Sequence, residues 1–210
     1  MDGLRERKKQ QTRVALSWAA IRLVVERGLD AVRIEDIAEE AGVSLRTFRN
    51  YFPTKADAIA YRHLERSRQI ADELRARPAG EPLWTAIREA VGARFALGAD
   101  EGPGGGPGGG HGLPDPEWVA GVRLMVTEPA LQGAMQKAAA TAAQAFAEAV
   151  AARTGTDPGD LYPKLVAASV AAAVGVATEH WLRADPPVPM APLLAEALDR
   201  LSSGLPEEEQ

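Results

Sequence analysis

Hydrophobic residues recur along this chain at the spacing of amphipathic helices, and no sustained alternation of the kind that marks strands interrupts them. A first helix, which ends at Gly28, has one apolar face that consists of Leu16, Ala19, Ala20, Leu23 and Val24. Further helices are predicted at about 34–41, 45–52, 54–77, 83–95, 115–126, 129–153, 158–184 and 190–203. The pattern therefore predicts an all-α fold.

Residues that commonly begin helices stand at several of the predicted boundaries. Ser44 precedes the helix at 45–52, and its side chain can accept a hydrogen bond from the first turn. Thr54 precedes the next helix, and Asp57 three residues later gives a capping-box-like start. Pro129 suits a first helical turn, because its missing N–H would be unpaired there in any case.

A tract of glycine and proline between Gly102 and Gly110 interrupts the helical pattern. Such a sequence cannot bury enough surface to offset the conformational entropy that ordering would cost. We therefore predict a flexible loop at about 98–113 within a helical domain.

The segment from Ile34 to Phe52 predicts a helix-turn-helix. Two helices that cross over a tight turn need a small residue in the first helix, and the turn favours glycine. Ala38 and Gly42 meet these two requirements. Apolar residues occupy the inward positions Ile37, Ala41, Val43, Phe48 and Tyr51. The alternative to a helix-turn-helix is an ordinary helical hairpin.

In a helix-turn-helix the second helix lies in the major groove of DNA, here with Phe48 and Tyr51 anchoring its inner side. Arginine can donate twice to guanine, asparagine can pair with adenine, and leucine can touch a thymine methyl group. The alternative for Arg46 and Arg49 is a solvated charged face. The predicted DNA contacts, to bases or phosphates, are Ser44, Leu45, Arg46, Thr47, Arg49, Asn50, Tyr51 and Lys55.

The formal net charge of −5 conceals an asymmetry along the chain. Residues 1–80 contain 16 Lys and Arg against 12 Asp and Glu, whereas the remaining residues contain 8 against 17. A basic N-terminal part on an acidic remainder would present one face to phosphates and repel them elsewhere. Ordinary charge scatter is the alternative explanation.

Composition predicts a soluble cytoplasmic protein without membrane contact. The chain has no cysteine, which fits a reducing compartment. Its charged N-terminus lacks the apolar core of a signal peptide. The alanine-rich runs near 138–152 and 165–178 are interrupted by polar residues or short of large apolar groups, so we do not expect them to span a membrane.

No motif indicates catalysis, so we predict neither an enzyme nor a bound cofactor or metal. The chain has no G-x-S-x-G elbow, no phosphate-cradling loop that ends in Lys-Ser/Thr, and no His-Glu-x-x-His. Its three histidines are scattered, and no cysteine could help them bind zinc. The alternative function is a helical small-molecule carrier or interaction module that does not bind DNA.

A family resemblance rests on these same residues. The stretch Ile34–Ser44, followed by Thr47-Phe48, Tyr51-Phe52-Pro53 and Lys55, resembles the TetR family of bacterial regulators. The resemblance covers residues 10–60. Beyond these residues, the size and helical layout of the chain agree with those of the family. It implies a three-helix DNA-binding domain at 1–53 and a helical ligand-binding and dimerisation domain at 54–210.

The resemblance also implies a function and a set of contacts. Most members are repressors that a small molecule releases from DNA, although no residue here decides between repressor and activator. Ser44, Thr47, Tyr51 and Lys55 match the family's DNA-contact positions, while Arg46, Arg49 and Asn50 occupy its variable reading positions. Two-fold symmetry would place the recognition helices about 34 Å apart, or a multiple, over a palindromic operator.

The chain departs from the family pattern at two positions. Arg33 stands where the second helix is usually preceded by threonine, so another group should replace the missing cap. Arg49 follows Phe48 where many members have an aromatic residue, which affects the operator rather than the fold. Separately, the basic residues between Arg5 and Lys9 are either a phosphate-binding or minor-groove arm or a disordered tail.

The second domain offers a dimer interface and candidate ligand contacts. The helix at 158–184 is apolar nearly all round, and we predict that it and the helix at 190–203 pair with their symmetry mates. The alternative is that both helices are internal core. Aromatic and methionine side chains suit a small apolar ligand, although each is often plain core. The candidate ligand contacts are Phe95, Trp118, Met125, Met135, Phe146 and, as a polar anchor, His180 or Arg123.

Overall fold

The computed structural model describes residues 2–97 and 116–205. Within these residues the chain is helical and contains no strand, which confirms the predicted all-α class. The predicted glycine-rich loop at 98–113 lies outside the described residues. The helices are α1 Asp2–Arg27, α2 Ile34–Glu40, α3 Leu45–Tyr51, α4 Lys55–Ala76, α5 Leu83–Leu97, α6 Pro116–Thr127, a 3₁₀ turn Pro129–Leu131, α7 Gln132–Thr154, α8 Leu161–Arg183 and α9 Met190–Ser202.

The turn between α2 and α3 depends on a glycine. Gly42 adopts a φ of 66°, in the left-handed region that favours glycine. Its N–H donates to the carbonyl of Glu39 at 2.9 Å, and the N–H of Val43 donates to that of Ala38 at 2.9 Å. This pair of hydrogen bonds is the Schellman arrangement that ends a helix. It lets α3 begin only a few residues after α2 ends.

The predicted caps form. The backbone N–H of Thr47 donates to Ser44 Oγ at 3.1 Å, and the N–H of Asp57 donates to Thr54 Oγ1 at 3.1 Å. At the start of α2, Asp36 replaces the missing threonine, because its carboxylate accepts the N–H of Arg33 at 2.8 Å. Each of these bonds satisfies an N–H that the helix leaves without an internal partner.

Contacts within the chain separate it into two units. Unit 1 comprises Met1–Glu65 with Asp115–Ala139, and unit 2 comprises Arg66–Pro114 with Ala140–Gln210. Thus α6 and the start of α7 group with the N-terminal helices, whereas the sequence analysis placed 54–210 in one domain. In unit 1, Leu131 is fully buried in the N-terminal core. A Cβ at Gly121 of α6 would lie 2.9 Å from Ile21 Cγ2 of α1, so a larger residue there would force Ile21 or the helix to shift.

Unit 2 has its own core. Apolar side chains of α4, α5 and α7 meet those of α8 and α9 in one buried cluster that includes Leu74, Ile87 and Val150. Arg153 closes the turn between α4 and α5. Its guanidinium donates to the carbonyls of Arg77, Pro78 and Glu81, each at 2.9 Å, and to that of Leu74 at 3.4 Å.

Among the described residues, only one side of helix α8 is buried. Pro163, Val166, Val170 and Trp181 are buried, whereas Leu161, Leu165 and Val176 are 73%, 53% and 55% exposed. By length and apolar composition α8 could also cross a membrane, and 28% of its most apolar window is buried. Composition alone therefore does not distinguish a membrane span from a helix that a protein partner covers.

Candidate nucleic-acid interface

The helix pair α2–α3 is held by apolar side chains at the inward positions that the sequence predicted. Ile37, Ala38 and Phe48 are at most 2% exposed, and Val43 and Tyr51 are partly buried against the same core. Helix α2 packs on both α1 and α3. Because Phe48 fixes one side of the short helix α3, the opposite side is defined as well.

That opposite side of α3 is polar and open to solvent. Arg46, Arg49 and Asn50 are exposed, and Leu45 and Thr47 beside them are half-buried. The structure therefore places Arg46, Arg49 and Asn50 on the exposed side of α3, with Leu45 and Thr47 at its edges. Guanidinium and carboxamide groups in this setting can donate to base edges without first breaking an internal contact.

Ser44 and Thr47 stand together at the first turn of α3. Their hydroxyl oxygens lie 2.9 Å apart, within hydrogen-bond distance, and Ser44 also accepts the N–H of Thr47. The side chains of Ser44 and Thr47 therefore fix the start of α3.

Tyr51, the last residue of α3, meets the first helix. Its ring lies 5.7 Å from the Arg13 guanidinium, a distance at which a cation is attracted to an aromatic face. Behind it, the ring centroids of Phe52 and Phe48 are 6.0 Å apart, and those of Phe52 and Tyr61 are 5.4 Å apart. This aromatic cluster connects the end of α3 to α4.

Lys55 has a structural contact that the sequence analysis did not foresee. Its ammonium donates to the carbonyl of Leu29 at 2.5 Å and to that of Val32 at 2.9 Å. The side chain thereby ties the loop between α1 and α2 to the start of α4. An ammonium has three protons, so these two bonds leave one donor for a phosphate.

A polar cluster joins α1 to α4 in unit 1. The Tyr61 hydroxyl is hydrogen-bonded to Gln10 Oε1 at 2.8 Å and to Glu65 Oε2 at 3.0 Å. Burial, followed by the adjacent Glu65 carboxylate, raises the pKa of Tyr61 to about 12. The Arg62 guanidinium lies 4.6 Å from the centre of the Trp18 ring. The two contacts fix α1 against α4.

The candidate ligand contacts are divided between the two units. Phe95 and Phe146 pack in the core of unit 2, whereas Met125 and Met135 pack against the core of unit 1. His180 is exposed on α8, and Arg123 is exposed on α6. Trp118 lies outside the residues whose side chains are described. The four apolar candidates therefore belong to two different cores.

Unit 1 contains an open cleft of about 510 Å³ beside the start of α4. None of the candidate ligand contacts lines it. Among residues 2–97 and 116–205, no three His, Asp or Glu side chains are grouped so that they could hold a metal ion. The cleft is lined by Leu29, Asp30, Thr54, Lys55, Ala56, Asp57, Ala130, Gly133, Ala134 and Lys137.

Comparisons with known proteins bear on the identity of this helix pair. Residues 18–59 match the family described as "Bacterial regulatory proteins, tetR family", and residues 113–206 match the MftR C-terminal domain. The HTH-type transcriptional regulator TcmR of Streptomyces glaucescens is 30% identical over 185 residues, which cover 87% of this chain and 79% of TcmR. The chain belongs to the TetR family of bacterial transcriptional regulators.

Two further proteins are similar to this chain. MftR of Mycobacterium tuberculosis, named as a mycofactocin biosynthesis transcriptional regulator, is 28% identical over 203 residues, which cover 95% of this chain and 93% of MftR. The TetR-family repressor FadR of Thermus thermophilus shares the fold, with a TM-score of 0.55 at 19% identity. The alignment covers 94% of this chain and 97% of FadR.

Membership in the TetR family confirms the predicted class of function. The protein is a DNA-binding transcriptional regulator with an N-terminal helix-turn-helix and a helical C-terminal domain, and it is not an enzyme.

No pattern in the sequence predicted the contacts of Lys55 and Arg153. Both side chains donate to carbonyls far away in the sequence, and no local pattern reports such contacts.

Proposed function

We propose that the protein is a repressor that reads a palindromic operator with α3 and is released by a small apolar ligand. The observation that carries this proposal is the division of α3 into a buried side, held by Phe48, and an exposed side with Arg46, Arg49 and Asn50. Since its target would be chromosomal DNA, we place its action in the cytoplasm.

On this proposal, Arg46, Arg49 and Asn50 read bases, and Leu45 contacts a thymine methyl group. Bidentate arginine–guanine and asparagine–adenine pairs each contribute roughly 1–3 kcal/mol of discrimination. The hydroxyls of Ser44 and Thr47, with Tyr51 and Lys55, contact the phosphate backbone beside the groove. Lys55 does so with the one ammonium proton that its two carbonyl contacts leave.

A palindromic operator requires a dimer, and α8 supports one. Leu161, Leu165, Ala168, Ala172 and Val176 follow helical spacing, and all five are exposed. Large apolar side chains in one exposed stripe mark an interaction surface. Alanine at two of these positions allows a second helix to approach closely. We propose that α8 of one protomer packs against α8 of its partner.

We propose a smaller contribution from α9, the second helix that the sequence predicted at this interface. Its apolar residues already pack inside their own unit, with Leu194 1% and Leu198 3% exposed. Its outer side is charged, and Arg200 pairs with Glu196 at 3.0 Å. Contacts that α9 makes across the dimer would therefore be polar and would lie at the edge of the α8 stripe.

We propose that the ligand binds in unit 2 near Phe95. This ring is half-buried, and the Arg66 guanidinium lies 5.0 Å from its centre. An aromatic side chain suits the apolar part of a ligand. FadR of Thermus thermophilus was crystallised with lauroyl-CoA, whose acyl chain is apolar, which makes acyl-CoA thioesters the first probes to try. Helix α4 contributes residues to both units and would carry the coupling.

The test is binding of the purified protein to duplexes selected from a random library, at low and high salt. We expect a palindromic site, bound by two protomers, with an affinity that falls as salt rises. Added lauroyl-CoA should lower that affinity. Binding that never exceeds that to random DNA would contradict the proposal and favour a carrier or interaction module.

A further inference from the structure

The N-terminal part of α1 extends beyond the core of unit 1. The helix runs without a break from Asp2 to Arg27, yet its first fully buried side chain is Leu16. Residues 4–9 are all exposed. Since a helix rises about 1.5 Å per residue, the eight steps from Arg5 to Arg13 extend about 12 Å. The structure therefore presents these residues as an ordered helix rather than a tail.

This segment is strongly basic. Residues 2–13 contain five Lys and Arg against two Asp and Glu. Arg5, Lys9 and Arg13 follow one another at intervals of four, so they share one side of the helix. Glu6 lies among them, with carboxylate oxygens 3.9 Å from Lys9 Nζ and 4.0 Å from the Arg13 guanidinium. One carboxylate cannot neutralise three cations, so the stripe keeps a positive charge.

Two contacts fix the position of this stripe. Arg13 lies over the ring of Tyr51, which ends α3. Gln10 accepts a hydrogen bond from Tyr61 of α4. Arg13, at one end of the basic stripe, therefore lies beside the C-terminal end of the recognition helix. DNA that lies along the exposed side of α3 continues past that end as a phosphate backbone.

We propose that Arg5, Lys9 and Arg13 form a phosphate-binding surface that holds the DNA backbone flanking the bases read by α3. This inference rests on the proposed reading of DNA by α3. Charge complementarity and continuity with that helix identify the partner as duplex DNA. The contact is independent of sequence, because phosphates are the same at every base pair.

The test measures the affinity of the full chain for its selected operator and for a random duplex over a range of salt concentrations. In Arg5→Gln/Lys9→Gln, both residues are exposed, so the fold should persist, and circular dichroism checks this. We expect the affinity for both duplexes to fall by the same factor, on the order of tenfold at low salt. The decrease of log affinity with log salt should become less steep, by about 0.9 for each phosphate that the variant no longer binds.

Two further variants make the result decisive. Glu6→Gln removes the neighbouring carboxylate and should raise the affinity for both duplexes about twofold. Arg68→Gln/Arg183→Gln removes two exposed positive charges from unit 2, and its slope should equal that of the wild type. If Arg5→Gln/Lys9→Gln also keeps the wild-type slope, or binds the operator alone more weakly, the inference is overturned. A wild-type protein that prefers no sequence would instead overturn the proposed function.

Discussion

Helices α3 and α8 each have one side that no other part of the described chain covers, but the uncovered residues differ in kind. On the seven residues of α3, Phe48 is fully buried and the open side carries Arg46, Arg49 and Asn50. On the 23 residues of α8, the open side carries Leu165 and Val176. The polar side matches the edges of bases, and the apolar side matches another protein surface.

Helices α3 and α8 also differ in what holds them in place. Helix α3 is too short to persist alone and depends on the Ser44 cap and on Phe48. Helix α8 has a long buried side in the core of unit 2, which holds it whether or not its open side is covered. Four of the seven large hydrophobic residues exposed in the described part of the chain lie on α8. Damage to the buried side of α3 should therefore act through stability, and damage to the α8 stripe through assembly.

The largest expected effect tests the dependence of α3 on its anchor. Phe48→Ala should lower the free energy of unfolding by about 3–5 kcal/mol, because it removes a fully buried ring. Urea denaturation followed by circular dichroism measures this change. Arg49→Ala, on the exposed side of the same helix, is the matched control and should change stability by less than about 0.5 kcal/mol. Equal destabilisation in the two variants would contradict the assignment of buried and exposed sides.

The next effect tests the α8 stripe. Leu165→Glu/Val176→Glu should weaken dimerisation by about 100-fold or more, because a carboxylate would be buried without a partner at the interface. Sedimentation equilibrium reports the change. Lys164→Glu introduces the same side chain at an exposed position next to the stripe and should leave the dimer intact. A doubly substituted protein that dimerises like the wild type would remove α8 from the interface.

A smaller effect tests whether Arg153 contributes to the stability of unit 2 without taking part in DNA reading. Arg153→Met leaves four carbonyls without their shared donor and should cost about 1–3 kcal/mol of unfolding free energy. The preference for operator over random duplex should not change. Arg88→Met, which removes an exposed ion pair with Asp199, is the control and should cost less than about 1 kcal/mol. A changed preference in Arg153→Met would mean that this turn takes part in DNA reading.

The smallest effect concerns pH. The pKa of Tyr61 is raised to about 12 from an ordinary 10.0. Below pH 10 both folded and unfolded states hold the proton, and between pH 10 and 12 the unfolded state releases it first. Stability should therefore fall as pH rises through this window. Tyr61→Phe cannot ionise, so its stability relative to the wild type should improve above pH 10. A constant difference from pH 9 to 11.5 would contradict the raised pKa.

The sequence predicted α3 well because local signals define it. The glycine turn, the Ser44 cap and the period of apolar residues all lie within 20 residues, and the structure has each of them. The candidate ligand contacts stay a prediction, because no local signal defines them. Met125 and Met135 are apolar like Phe95 and Phe146, but the chain packs the two pairs in different units. Helical spacing shows that such a residue is buried, not which core receives it.

The most direct test of the central claim is the affinity of wild type and Asn50→Ala for the selected operator and for operators changed one base pair at a time. If α3 reads bases, the variant should bind the operator more weakly by roughly 1–3 kcal/mol and should no longer discriminate at one position in each half-site. Discrimination at the other positions should persist. An equal reduction of affinity on every duplex, with discrimination unchanged throughout, would mean that Asn50 does not read a base and would contradict the role assigned to α3.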